Sequence, residues 1–194
     1  MKLKKLETGQ GLVAKLKLGA AGLLMRERPA DILRVLLYRP KFFGKPFSEW
    51  TQELLRGHSS WSVGERELMA AMVSRTNECK FCLSAHSQMA AKMMGEETVA
   101  GALDDWETSG VREELRLALG FVQQLTRDPE SVGPEHVRRL EAAGLTEDEI
   151  GTAVHIVAQF CAINRIADAM GFQVPSAVAF GRMGAALLKH GYRV

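Results

Sequence analysis

In this 194-residue chain every apolar run recurs at the helical spacing, and none alternates with the period of two that a strand needs. The chain is therefore expected to be all-α. Ile32, Leu33, Leu36 and Leu37 form one apolar face, on a helix that Pro29 opens and that runs to Tyr38. A helix over 47–56 follows Pro40, Gly44 and Pro46, with Phe42, Phe43, Phe47, Trp50, Leu54 and Leu55 as packing residues. Ser62 and Glu65 make a capping box for a helix over 63–76, apolar at Leu68, Met69, Met72 and Val73. Asn77 is placed to cap the next helix, which reaches Met94 and stops at Gly95.

After a connecting region around Trp106, Thr108 or Ser109 starts a helix to Thr126, ended by Asp128-Pro129. Gly133-Pro134 opens a short helix closed by Gly144. Thr146 and Glu149 make a second capping box, ahead of a long helix apolar at Ile150, Val154, Val157, Phe160 and Cys161 and closed by Gly171. Pro175-Ser176 begins the last helix, to His190. Leu12, Leu16, Leu23 and Leu24 are loosely helical within 11–26, but Gly9, Gly11, Gly19 and Gly22 weaken that stretch.

A hydrophobic content of 46% with 25% charge suits a soluble domain with a substantial core. The net charge of +2 provides no basic footprint, so no nucleic acid partner is expected. Lys2, Lys4 and Lys5 are expected to be solvated or frayed. No run is apolar for the length of a membrane span, and no membrane partner is expected. MKLKKL begins like a signal peptide, but Glu7, Lys15 and Lys17 interrupt any apolar stretch behind it. The expected location is cytoplasmic.

The chemistry concentrates between Glu67 and His86. Cys79 and Cys82 form a C-x-x-C pair, His86 lies one helical turn beyond Cys82, and Glu67 precedes Cys79 on the preceding helix. With Asn77 as cap, both thiols fall in the first turn of a helix, where unpaired N–H groups favour a thiolate. The i, i+3 spacing puts both sulfurs on one face, close enough for a disulfide after modest rearrangement. His86 shares that face and is placed to accept the thiol proton, with Glu67 orienting it or taking the proton onward. Cys82 is nearer the histidine and is expected to attack; Cys79 resolves the resulting sulfenic acid, and an external dithiol reduces the disulfide.

Other chemistries remain open from the residues alone. A zinc site needs further Cys or His ligands, for which Cys161, His58, His136, His155 and His190 are the candidates. A disulfide reductase or electron carrier, serving a separate peroxidase, uses the same dithiol without meeting peroxide. A non-enzymatic redox sensor uses it to change assembly or partner binding. Cys161 itself reads as a small core residue.

An offset of 82 residues aligns Glu67 with Glu149, Cys79 with Cys161, Cys82 with Asn164 and His86 with Asp168. This suggests one domain over 1–194 made of two related helical units, 28–107 with the thiol pair and 108–194 without it. The same alignment weakens Glu67, since Glu149 is explained as a helix-start acid.

The pattern E-x(11)-C-x-x-C-x-x-x-H, here Glu67, Cys79, Cys82 and His86, resembles the alkylhydroperoxidase D-like family within the carboxymuconolactone decarboxylase superfamily. NECKFCLSAH at 77–86 and NRIADAMGF at 164–172 share in the resemblance, which covers residues 30–180. It implies an all-helical homo-oligomer that reduces hydroperoxides or disulfides without metal, flavin or other cofactor. It also implies that the second cysteine attacks, the first resolves, and the histidine and glutamate relay protons. The reductant implied is a lipoyl or thioredoxin-type dithiol. The family's best-known peroxidases carry a histidine between the cysteines, where this chain has Phe81.

Overall fold

A computed structural model describes residues 2–193, and all regular structure among them is helical. The helices are α1 (Lys5–Thr8), α2 (Leu12–Met25), α3 (Asp31–Tyr38), α4 (Lys45–Arg56), α5 (Val63–Thr76), α6 (Lys80–Met94), α7 (Glu96–Asp104), α8 (Glu113–Arg127), α9 (Pro134–Ala142), α10 (Glu147–Met170) and α11 (Ala177–His190). Helix α5 is the axis of the fold. Its residues 64–74 are all buried, because α6 and α7, α8, α10 and α4 pack around it from different sides. A helix enclosed on every side needs no amphipathic stripe, which explains small alanines and large methionines alternating around its circumference.

Both capping boxes form. Ser62 Oγ accepts from the Glu65 N–H while Glu65 returns a bond to the Ser62 N–H, and Thr146 and Glu149 repeat the arrangement at the start of α10. Trp61, 1% exposed, ties the two helix starts together by donating its indole N–H to the Glu149 carbonyl at 3.0 Å. Helix α10 is long and apolar enough to cross a bilayer by length and composition alone, but half of its most apolar window is buried against the other helices, as befits a core helix.

Several local expectations change. Helix α2 forms despite its glycines, yet Leu12, Leu16, Leu23 and Leu24 point outward, and Ala14, Leu18 and Met25 make its contacts. Helix α3 starts at Asp31, two residues after Pro29, and a π-helical turn over Pro40–Gly44 leads into α4. That turn leaves Phe42 77% exposed, and Trp50 is only partly covered. Helix α7 follows Gly95 directly and had no counterpart in the sequence pattern. The amino-terminal end is pinned: the Lys2 N–H donates to the Met170 carbonyl at 2.8 Å, and its ammonium to the Asp168 carbonyl.

The correction that matters most for the site lies between α5 and α6. Asn77 closes α5, its N–H bonding the Val73 carbonyl, and does not open α6. Glu78 takes a left-handed conformation (φ +58°), which turns the chain so that the Cys79 N–H bonds back to the Ser74 carbonyl at 2.9 Å. Cys79 is therefore the cap residue of α6, and its carbonyl accepts from the Leu83 N–H.

Candidate active site

Glu67 sits in the middle of α5 with no exposed surface. A buried carboxylate must be neutralised or fully bonded, and here three side chains do so. Its Oε2 lies 2.6 Å from His86 Nδ1, across the α5–α6 contact. Its Oε1 meets Arg56 Nη2 at 2.7 Å, from the end of α4, and accepts a bond from the Tyr192 hydroxyl at 2.8 Å, from beyond α11. Burial pushes the Glu67 carboxyl up, but the charge and hydrogen bond of His86, with Arg56 and Tyr192 behind them, outweigh it and hold it below its ordinary value.

With Nδ1 committed to Glu67, Nε2 is the imidazole nitrogen left for chemistry. Phe160 meets the His86 ring edge-on at 4.6 Å between centroids, and the Tyr192 ring lies nearly parallel to it, at 19° and 6.4 Å. Arg56 also stacks on Tyr192, its guanidinium carbon 4.8 Å from the ring centroid. Burial, and then the adjacent Glu67 charge, push the Tyr192 hydroxyl well up, so it stays a donor at neutral pH.

The two cysteines are free thiols with unequal environments. The Cys82 thiol bonds to Cys79, and this, helped by the Cys82 backbone N–H at the start of α6, holds Cys79 below the ordinary thiol value against burial and a nearby Asp168 carboxylate. Cys82 is pushed well up, first by donating that bond and then by burial. Cys79, the helix-cap residue, is thus the more acidic of the two thiols, whereas the histidine-proximity argument favours Cys82. Access runs the other way. Cys82 and His86 both border an apolar cavity of about 190 Å³; Cys79, fully buried, does not.

Aliphatic and aromatic side chains form almost all of that cavity, among them Leu33, Phe47, Phe81, Phe160, Leu187 and Tyr192. Its volume exceeds the roughly 150 Å³ that accommodates benzene in an engineered core. Phe81 occupies the position between the cysteines as part of an aromatic cluster with Phe172 at 5.2 Å and Phe180 at 5.7 Å.

Glu67, Cys79, Cys82 and His86 therefore converge, while Cys161 and the remaining histidines stand apart. Among the described residues no group of three metal-ligand side chains comes together. Cys161 is half-buried, with Asn77 Nδ2 3.5 Å from its sulfur. Sequence reasoning missed Arg56, Tyr192 and Asp168. No local spacing marks the first two, whereas Asp168 lies in the NRIADAMGF segment already singled out. The 82-residue offset pairs unlike roles: Glu149 caps α10 as Glu65 caps α5, while Glu67 is the hub of a buried network.

An all-helical fold with a dithiol at a helix start, beside a buried Glu–His pair, defines the class of thiol-site helical proteins to which this chain conforms. Residues 43–108 match the carboxymuconolactone decarboxylase family. The Bacillus subtilis (strain 168) protein YdfG is 30% identical over 119 residues, which span 61% of this chain and 81% of YdfG. The chain belongs to the carboxymuconolactone decarboxylase family.

Solved structures share the fold at lower identity. A peroxidase-related protein from Silicibacter sp. TM1040 is 20% identical, with a TM-score of 0.75 over 87% of each chain. A second, with an alkylhydroperoxidase AhpD core, comes from Ralstonia eutropha JMP134 and is 18% identical, with a TM-score of 0.74 over 89% of this chain and 90% of its own. A cysteine-to-alanine form of the debrominase Bmp8, in complex with 2,3,4-tribromopyrrole, is 19% identical, with a TM-score of 0.69 over 90% and 91%.

Proposed function

We propose that the protein is a thiol peroxidase that reduces organic hydroperoxides, with Cys82 attacking and Cys79 resolving. The observation that carries this is the placement of Cys82 on the apolar cavity beside His86, with Cys79 three residues before it at the helix cap. Attack requires contact with substrate, so the accessible sulfur acts first even though its neighbour is the more acidic.

The Cys82 proton passes to His86 Nε2, and the resulting imidazolium is held by Glu67. The Cys82 thiolate then attacks the terminal oxygen of ROOH. The S–O bond forms, the O–O bond breaks, and the leaving alkoxide takes the proton from His86 to become ROH. Cys79, as thiolate, attacks the Cys82 sulfur of the sulfenic acid; the S–S bond forms and hydroxide leaves, to be protonated to water. The sum is ROOH and two thiols to ROH, water and one disulfide. A lipoyl or thioredoxin-type dithiol restores both thiols by exchange through a mixed disulfide.

The test is hydroperoxide consumption with a dithiol present, coupled to mass spectrometry of the protein. One equivalent of cumene hydroperoxide should convert Cys79 and Cys82 to a disulfide and release one equivalent of alcohol. Full turnover by Cys82→Ser would remove this reading.

The size and apolarity of the cavity favour a second reading on the same thiols, debromination of a small brominated ring such as the tribromopyrrole bound by the debrominase Bmp8. In this second reading Cys82 takes bromine from carbon, the carbon gains a proton, and Cys79 displaces bromide from the Cys82 sulfur as the disulfide forms. Bromide release from a brominated pyrrole, with no alcohol formed from hydroperoxide, would select it.

A further inference from the structure

The chain beyond α11 returns to the thiol site, and no spacing in the sequence accounts for its doing so. Gly191 takes a left-handed conformation (φ +75°), and a Cβ there would run into Gln52. The positive φ strains any other residue, a Cβ would also push the Gln52 amide aside, and that amide holds the segment: its Oε1 accepts from the Tyr192 N–H at 2.7 Å. Held there, Tyr192 sends its hydroxyl 2.8 Å from Glu67 Oε1, across 125 residues of sequence. The same hydroxyl lies 3.5 Å from Met89 Sδ, and the ring forms part of the cavity wall facing His86.

A carboxylate bonded through one oxygen rotates about its last torsion; one bonded through both does not. Arg56 alone, as a single charged contact on Oε1, fixes distance better than plane. Arg56 Nη2 is an ion-pair partner without hydrogen-bond alignment, so Tyr192 supplies the hydrogen-bond donor on that oxygen. We infer that Tyr192 is a positioning residue of the thiol site, locking Glu67 so that Oε2 faces His86 Nδ1 while its ring closes the cavity beside Cys82. This rests on the reading of Cys82 and His86 as a nucleophile and its proton acceptor. The residues after α11 are thereby part of the site, although they lie far from it in sequence.

The experiment follows Cys82 alkylation by iodoacetamide from pH 5 to 10, using the intact chain, with Cys79→Ser as background so that one site-thiol is read. Tyr192→Phe keeps the ring and removes only the hydroxyl. It should slow alkylation at pH 7 about fivefold, the loss of one hydrogen bond to a charged group shared with Arg56, and move the midpoint of the profile upward. Gly191→Ala displaces the segment with every site residue present and should shift the profile in the same direction. A tyrosine that merely plugs the cavity predicts a wild-type profile for Tyr192→Phe, and that result overturns the inference. So does an unshifted Gly191→Ala, which is the deciding variant if Tyr192→Phe does not fold. Alkylation needs no peroxide, so a shifted profile in a protein that consumes no hydroperoxide retains the positioning role and rejects only the peroxidase reading.

Discussion

His86 Nδ1 and Glu67 Oε2 lie 2.6 Å apart, joining two antiparallel helices at the point where both are buried. The contact does two things at once. It gives the interior carboxylate of α5 a partner, and it fixes which imidazole nitrogen faces the cavity that Cys82 borders. Glu67 cannot therefore be exchanged for a neutral residue without consequences for both stability and chemistry.

Glu67→Gln tests the structural half. The amide preserves shape but leaves Arg56, whose side chain is 9% exposed, without its counter-charge. Breaking a buried pair from one side costs about 3 kcal/mol. For a chain of this size the melting temperature should fall by roughly 6–12 °C. A change of less than a degree would mean that water reaches Arg56 and solvates it.

The same variant makes a pH prediction. The folded-state Glu67 carboxyl lies below its ordinary value of 4.5, so folding favours the ionised form. The stabilisation is fully present above the unfolded value and is lost as pH falls through the folded one. The wild-type advantage over Glu67→Gln in urea midpoint should be present at about pH 5.5 and above and shrink as pH falls below 4.5. A gap that persists unchanged into acid would show that the difference is packing and not charge.

The thiols should separate by intermediate. Cys79→Ser retains the cavity-facing sulfur, so a hydroperoxide pulse should yield a sulfenic acid on Cys82 that dimedone traps and that excess peroxide carries to sulfinic acid. Cys82→Ser should yield neither, because the remaining Cys79 is fully buried. Dimedone labelling of Cys79 in that variant would reverse the assignment and favour the more acidic thiol as nucleophile. Peptide mass mapping reads both outcomes.

Much of this arrangement was legible in the sequence because it is local. The two capping boxes, the C-x-x-C spacing and the one-turn step from Cys82 to His86 are each defined within a few residues, where helical geometry leaves little freedom. Asn77 misled for a local reason too. It is as good at ending a helix as at starting one, and the left-handed Glu78 that decides between them is an uncommon conformation for glutamate. Glu67 was ambiguous because an acid near a helix start has an ordinary explanation, which only its burial removes. Arg56 and Tyr192 were beyond reach, since tertiary packing alone brings them to Glu67. The outward face of α2 shows the same limit. Leucine spacing identified the helix, and nothing in it said which side would meet the core.

Phe81→His would insert, between the cysteines, the imidazole that the family's best-known peroxidases carry there. It should weaken this protein and not activate it. Phe81 is 6% exposed and held between Phe172 and Phe180, and its backbone lies in the first turn of α6, so the side chain is committed to that aromatic cluster. A histidine there loses apolar contact area and buries a ring nitrogen among carbons, for a combined cost of about 2–4 kcal/mol. It also enlarges the cavity wall that Phe81 helps to form. The proton path already ends on His86, whose Nδ1 is fixed by Glu67, and a second imidazole without a carboxylate partner adds no comparable acceptor. Thermal melts should show the loss, and Cys82 alkylation at pH 7 should be no faster than in wild type. A rate increase of tenfold or more, about 1.4 kcal/mol in barrier, would mean that the aromatic cluster suppresses a relay which the fold still accommodates.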